Sequence, residues 1–123
     1  GYPDQGLAPL APVLIAGSFA SALSDGTIIV KGEIRHGSSG GPIFDEHGLV
    51  IGIMRAKIDT ARLYAATGHE IRDVGIGIAA VEIGAFLKRT DTDFRTAAGG
   101  DTLSGAAILE RARRFVARVD CWR

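Results

Sequence analysis

His36-Gly37-Ser38-Ser39-Gly40-Gly41-Pro42-Ile43-Phe44 is the stretch on which the reading of this chain turns. Small residues from Gly37 to Gly41 and then a proline cannot continue a helix, and they free the backbone for a tight turn with positive φ angles. Ile43 and Phe44 then make a short strand, Asp45 to Gly48 a turn and Leu49 to Ile53 a buried strand, so the run opens a β-hairpin. Upstream, residues 12–19 (PVLIAGSF) are predicted as a strand, and Asp25-Gly26 is a turn signal. Thr27 to Val30 are β-branched at every position and form a second hairpin with that strand. Downstream, residues 57–73 are mixed in character and are expected to be a long loop with a helical turn. Val74-Gly75-Ile76-Gly77-Ile78-Ala79 is a last strand, whose alternate glycines suggest close approach of another backbone or a ligand. Glu82 to Arg89 should be helical, with Ile83, Phe86 and Leu87 on one face.

The polar residues 90–102, with Gly99-Gly100, read as a linker between residues 1–89 and a helical tail, residues 103–123. In that tail Ile108, Ala112, Phe115, Val116 and Val119 trace one stripe of a helix of about four turns. Arg111, Arg113, Arg114 and Arg118 are most simply its solvated face, and Glu110 lies four before Arg114. Such a helix packs on its own domain or on a neighbouring subunit.

Composition narrows the function classes. At 123 residues the chain is one domain with one small core, and 46% apolar against 23% charged residues is neither a disordered tail nor a membrane span. Fourteen basic residues balance fourteen acidic ones, so there is no field of one sign to attract nucleic acid. The single cysteine, Cys121, excludes an internal disulfide and a Cys-rich metal site. His36, His47 and His69 have no metal-ligand spacing, and no metal or organic cofactor is called for.

A lone serine among glycines is ordinarily only a turn. Gly37-Ser38-Ser39-Gly40-Gly41 fits G-x-S-x-G, but the hydrolase elbow of that pattern needs a helix straight after it, and Pro42-Ile43-Phe44 forbids one. A phosphate-binding loop fails for want of a G-K-[ST] ending. What remains is a turn that itself makes the site: backbone N–H groups of Gly37 and Ser39 aimed at a common point beside the Ser39 hydroxyl form an oxyanion hole next to a nucleophile.

On these residues the chain resembles the trypsin-like serine peptidases, especially their HtrA-like bacterial branch. The likeness runs through Gly37 to Phe44, Asp45 to Gly48 and Leu49-Val50-Ile51-Gly52-Ile53. It extends to Val74 to Ala80 with the helix behind them, and to Gly1-Tyr2-Pro3, which is similar to the close of the first strand of that family's second barrel. It covers residues 1–89. The resemblance implies an all-β fold: the second six-stranded Greek-key β-barrel of such a peptidase, lacking its first strand, with a short helix and an added C-terminal helix.

It also implies peptide-bond hydrolysis through an acyl-enzyme on Ser39, with the backbones of Gly37 and Ser39 as oxyanion hole. Arg55, Ala56 and Lys57 fall where the family pairs its edge with the substrate backbone, and Glu33 near the base of the specificity pocket, although a surface-pointing glutamate is the plainer reading. Ser38 departs from the usual Asp or Asn. The partners implied are a peptide or unfolded protein and the missing N-terminal barrel, and the location a periplasmic or other extracytoplasmic one.

A serine needs a base that is itself oriented by a third group. In the family these are a His and an Asp of the first barrel, which precedes Gly1, and His36, His47 and His69 do not replace them. The chain alone is therefore expected to be inactive. The alternative is an inactive peptidase-like scaffold that holds peptides on the same edge. A barrel without its first strand leaves two edges open, to be covered by the missing half, by a homo-oligomer, or by residues 4–10 recruited as a substitute.

Overall fold

The computed structural model describes residues 1–2, 11–119 and 122. The expectation about residues 4–10 and any role of Cys121 lie outside the described residues, as does Pro3 of the first-strand motif.

Five strands form one antiparallel sheet in the order β1-β2-β5-β4-β3: β1 Gly17–Ala22, β2 Thr27–Gly32, β3 Pro42–Phe44, β4 Val50–Lys57 and β5 Val74–Ala79. Both expected hairpins are present, β1 with β2 through Gly17↔Gly32 and Ala22↔Ile28, and β3 with β4 through Pro42↔Ile53. The Asp25 carboxylate accepts the Thr27 N–H at 2.9 Å and fixes the first turn. The sheet curls into a half-barrel, so that its two outermost strands line the same cavity of about 710 Å³.

Alternation explains the core. In β2, Ile28 and Val30 point inward and are buried. Val30 joins Ile34 and Met54 in one cluster, with Ile43 packed against it. The glycines of β5 make room for this cluster: a Cβ on Gly75 would strike the Ile34 Cδ1, and one on Gly77 would lie 2.6 Å from the Ile43 Cδ1 and 3.1 Å from the Ile53 backbone carbonyl oxygen of the neighbouring strand, the close backbone approach that the alternate glycines suggest. Glycine there makes room for larger neighbours from the other strands.

Several boundaries differ from those expected. The first strand begins at Gly17, not residue 12, because Gly17 is where the ladder with Gly32 starts, while Pro12 to Ala16 run along the cavity. Within residues 57–73, Thr60–Thr67 is a true helix, α1. Its N-cap is Asp59, whose carboxylate accepts from Arg62 N–H at 3.1 Å, and its C-cap is Gly68 at φ 70°. Ala80–Arg89 is α2 and follows β5 directly.

Gly105–Ala112 is α3, capped by the Ser104 hydroxyl. It is about half the predicted length, because the N–H groups of Arg114 and Phe115 turn back to Arg111 and Ala112 and tighten its end. That turn sets the Phe115 ring edge-on to Phe44, with centroids 6.0 Å apart. Ile108 and Ala112 are buried, and Leu103 N–H donates to Glu46 C=O at 2.8 Å, so the tail packs on its own sheet.

Candidate functional site

The loop from Glu33 to Gly41 joins β2 to β3 past β5 and β4, and its stitching decides where the serines face. Ser38 N–H donates to Arg35 C=O at 3.2 Å and closes a first turn containing Gly37 at φ 84°. Gly41 N–H donates to Ser38 C=O at 3.0 Å and closes a second, with Ser39 and Gly40 at its centre. Gly40 has φ 80°, the value a type II turn demands at its third position, where a Cβ is strained. This second turn is pinned to β4 from both sides: Gly40 N–H donates to Met54 C=O at 2.7 Å, and Met54 N–H to Gly41 C=O at 2.8 Å.

The two serines consequently part company. Ser39 is exposed, and its hydroxyl makes no hydrogen bond among the described residues. Ser38 is buried at 8% exposure, and its Oγ, at the cavity wall, has no partner among the described residues. Among the described residues neither the Gly37 nor the Ser39 backbone N–H is spent on a hydrogen bond, so both donors of the expected oxyanion hole are free. The two turns bring together Ser39, the unspent amides and the end of β4.

Beyond Met54 the sheet opens. β3 pairs with β4 only from Val50 to Ile53, whereas Ala56 and Lys57 pair with Ile76 and Gly75 of β5 on the other side. Arg55 is the bulged residue of that ladder. Arg55 to Lys57 thus carry an edge with no strand against it among the described residues, starting one residue past the carbonyl that pins the serine turn. Unpaired edges of this kind are where extended peptides add by backbone pairing in other proteins.

Glu33 lies on the surface and forms a 2.7 Å ion pair with Arg35, both side chains more than half exposed. His36 and His69 are exposed, and neither side chain hydrogen-bonds to Ser39. His47 sits in the β3–β4 turn, where Asp45 accepts its N–H at 2.9 Å; its Nδ1 is buried without a partner among the described residues, and Nε2 is 3.7 Å from Glu46. The site therefore has a candidate nucleophile and amide donors, but no general base beside them among the described residues. The sequence does not announce the burial of Ser38. Nothing in two adjacent serines tells which faces inward until the Met54 contacts are known.

Among proteins with known sequences, the chain is 31% identical over 96 residues to the "uncharacterized protein y4bJ" of Sinorhizobium fredii (strain NBRC 101917 / NGR234). That match takes in 76% of this chain but only 15% of the relative, so the chain spans about 15% of the length of the protein it matches. No protein-family model matches the chain, and no solved structure matches it.

Proposed function

We propose that the chain is the second barrel of a trypsin-like serine peptidase domain within a longer polypeptide, with Ser39 as nucleophile. The observation that carries this reading is the turn pinned to Met54: it exposes Ser39, leaves the Gly37 and Ser39 amides unspent, and stands at the head of a free strand edge. The strand order supports the Greek-key form, since β2 leads to β3 at the far edge and the chain then returns through β4 to β5, next to β2.

In this mechanism the substrate backbone pairs with Arg55 to Lys57, which holds the scissile carbonyl near Ser39. A histidine from the preceding barrel, oriented by an aspartate, takes the Ser39 proton as Oγ attacks the carbonyl carbon. The carbonyl oxygen becomes an oxyanion that accepts from the Gly37 and Ser39 N–H groups; removing one such donor typically costs about 100- to 1,000-fold in rate. The imidazolium returns the proton to the departing amine, and water then hydrolyses the acyl-enzyme by the same steps in reverse.

A second reading has its own support. No histidine side chain is hydrogen-bonded to Ser39 among the described residues, and the free edge alone suffices to hold a peptide, as in a scaffold that has lost its triad. Cleavage assays on a broad peptide library separate the two. The full polypeptide should cleave, and Ser39→Ala should abolish cleavage, while residues 1–123 alone should be inactive. Activity of the isolated chain that Ser39→Ala removes would refute the claim that the base lies outside it. A full polypeptide without activity favours the scaffold.

A further inference from the structure

We propose that the exposed side chains of Arg55 and Lys57 make the open end of β4 selective for acidic polypeptide, an extended peptide or unfolded segment that carries Asp or Glu at the positions meeting those two cations. The proposal deepens the peptide-edge reading above and rests on it, but not on any chemistry of Ser39.

The backbone shows which residue receives an incoming strand. Lys57 is the register partner of Gly75, and the bond beside this pair runs from Ile58 N–H to Val74 C=O at 3.0 Å. In an antiparallel ladder, a bond from the residue after one partner to the residue before the other marks a pair that exchanges no bonds of its own. The N–H and C=O of Lys57 therefore point away from β5, to the open side, where β3 has already stopped at Pro42↔Ile53. Met54 presents its N–H and C=O on that same side and spends them on Gly41 and Gly40. An entering strand thus finds its backbone partner at Lys57, just past the anchor of the serine turn. The residue it places there has its Cβ about 4.5–5.5 Å from the Lys57 Cβ, within reach of a charged side chain.

Charge then selects the peptide. Arg55 and Lys57 are exposed, and neither is in an ion pair among the described residues. Arg55 acts on Asp25 only as the smallest of the influences that lower that carboxyl. Asp59, the acid next in sequence, spends its carboxylate on the Arg62 N–H at 3.1 Å, and Arg62 adds a third exposed cation to the segment. Asp73 stands beside Val74, the register partner of Lys31, so a cation is at hand for it there. Glu33, the acid of the serine loop, is held by Arg35 at 2.7 Å and is not left for a basic peptide. Opposite charges across a ladder attract and like charges repel, so this edge favours acidic segments and disfavours basic ones. A nucleic-acid strand answers the cations but lacks the alternating N–H and C=O groups that the Lys57 backbone pairs with.

The test is fluorescence anisotropy on the full polypeptide carrying Ser39→Ala, so that a bound peptide is not cut, with labelled extended peptides that differ only in having Glu, Gln or Lys at two positions. The Glu peptide should bind about 2- to 25-fold tighter than its Gln counterpart, the product of about 1.4- to 5-fold for each pair, and the Lys peptide should bind weakest. The ratio should fall as salt rises. Arg55→Gln with Lys57→Gln should remove the ratio while leaving the affinity for the Gln peptide unchanged, and Lys88→Gln with Arg89→Gln, on the exposed end of α2, should leave it intact. Equal binding of the three peptides would overturn the proposal and spare the peptide-edge reading. A ratio that survives the double change at Arg55 and Lys57 would overturn it too, as would a single-stranded oligonucleotide that binds tighter than the Glu peptide and is released by that change. Binding of no peptide at all would defeat both the proposal and the edge reading, whereas acid-selective binding by a polypeptide that cleaves nothing defeats only the catalytic one.

Discussion

Replacing Gly75 by alanine should destabilise the sheet through one identifiable collision. Gly75 is buried in β5, and its φ lies outside the left-handed region, so alanine meets no backbone penalty there. The new Cβ would strike the Ile34 Cδ1 and lie 3.1 Å from the Met54 sulfur. Overpacking of this kind costs about 1–3 kcal/mol, and the lower entropy of the unfolded alanine chain returns about 0.4–1 kcal/mol, which leaves a net loss of about 1–2 kcal/mol. Ile34→Val removes the colliding methyl; alone it should cost about 0.5–1.5 kcal/mol, as a small cavity.

Together the two changes should be far less than additive, with a coupling of about 1–2 kcal/mol. Urea unfolding followed by far-ultraviolet circular dichroism measures this, since Trp122 is 92% exposed and would report little by fluorescence. Additivity within about 0.5 kcal/mol would refute the claim that Gly75 is glycine to admit Ile34.

The two serines should behave oppositely to their prominence. Ser38→Ala should be neutral or stabilising, because it removes a buried hydroxyl that has no partner, and thermal unfolding will show it; a clear loss of stability would mean that the hydroxyl is bonded. Asp25 is held below the ordinary carboxylate range chiefly by the Thr27 N–H, then by the Thr27 side chain. A carboxylate lowered in the folded state stabilises above its unfolded value and ceases to as pH falls through the folded one. The Thr27 amide resonance should therefore titrate with a midpoint below that of an ordinary aspartate, and Asp25→Asn should abolish that titration.

Much of the fold is legible in the residues. The β-branched run of β2, the Asp25-Gly26 turn and the Asp45 to Gly48 turn each specify their hairpin locally, so both hairpins follow from sequence. Helix α1 does not, because it buries no residue and shows no apolar stripe; its signal was the Asp59 cap with Gly68 nine residues on. The start of β1 depends on its register with Gly32, a partner fifteen residues away that propensity does not report. The glycines of β5 announce a close approach, but not whose atoms make it.

At the site, the paired glycines of the serine turn were readable because positive φ angles are a local demand. The free edge at Arg55 to Lys57 was anticipated only through the family resemblance, since it depends on β3 stopping short of it. The surface pairing of Glu33 with Arg35 follows from their two-residue spacing on an exposed loop, where neighbouring side chains find each other before any pocket.

The most direct measurement of the central claim is labelling of the full polypeptide with a fluorophosphonate probe, mapped by mass spectrometry. The label should sit on Ser39, vanish in Ser39→Ala and never appear on Ser38, because only Ser39 is exposed beside two unspent amides. A label on Ser38, or none on a polypeptide whose upstream part supplies a histidine and an aspartate, would contradict the assignment of Ser39 as the nucleophile.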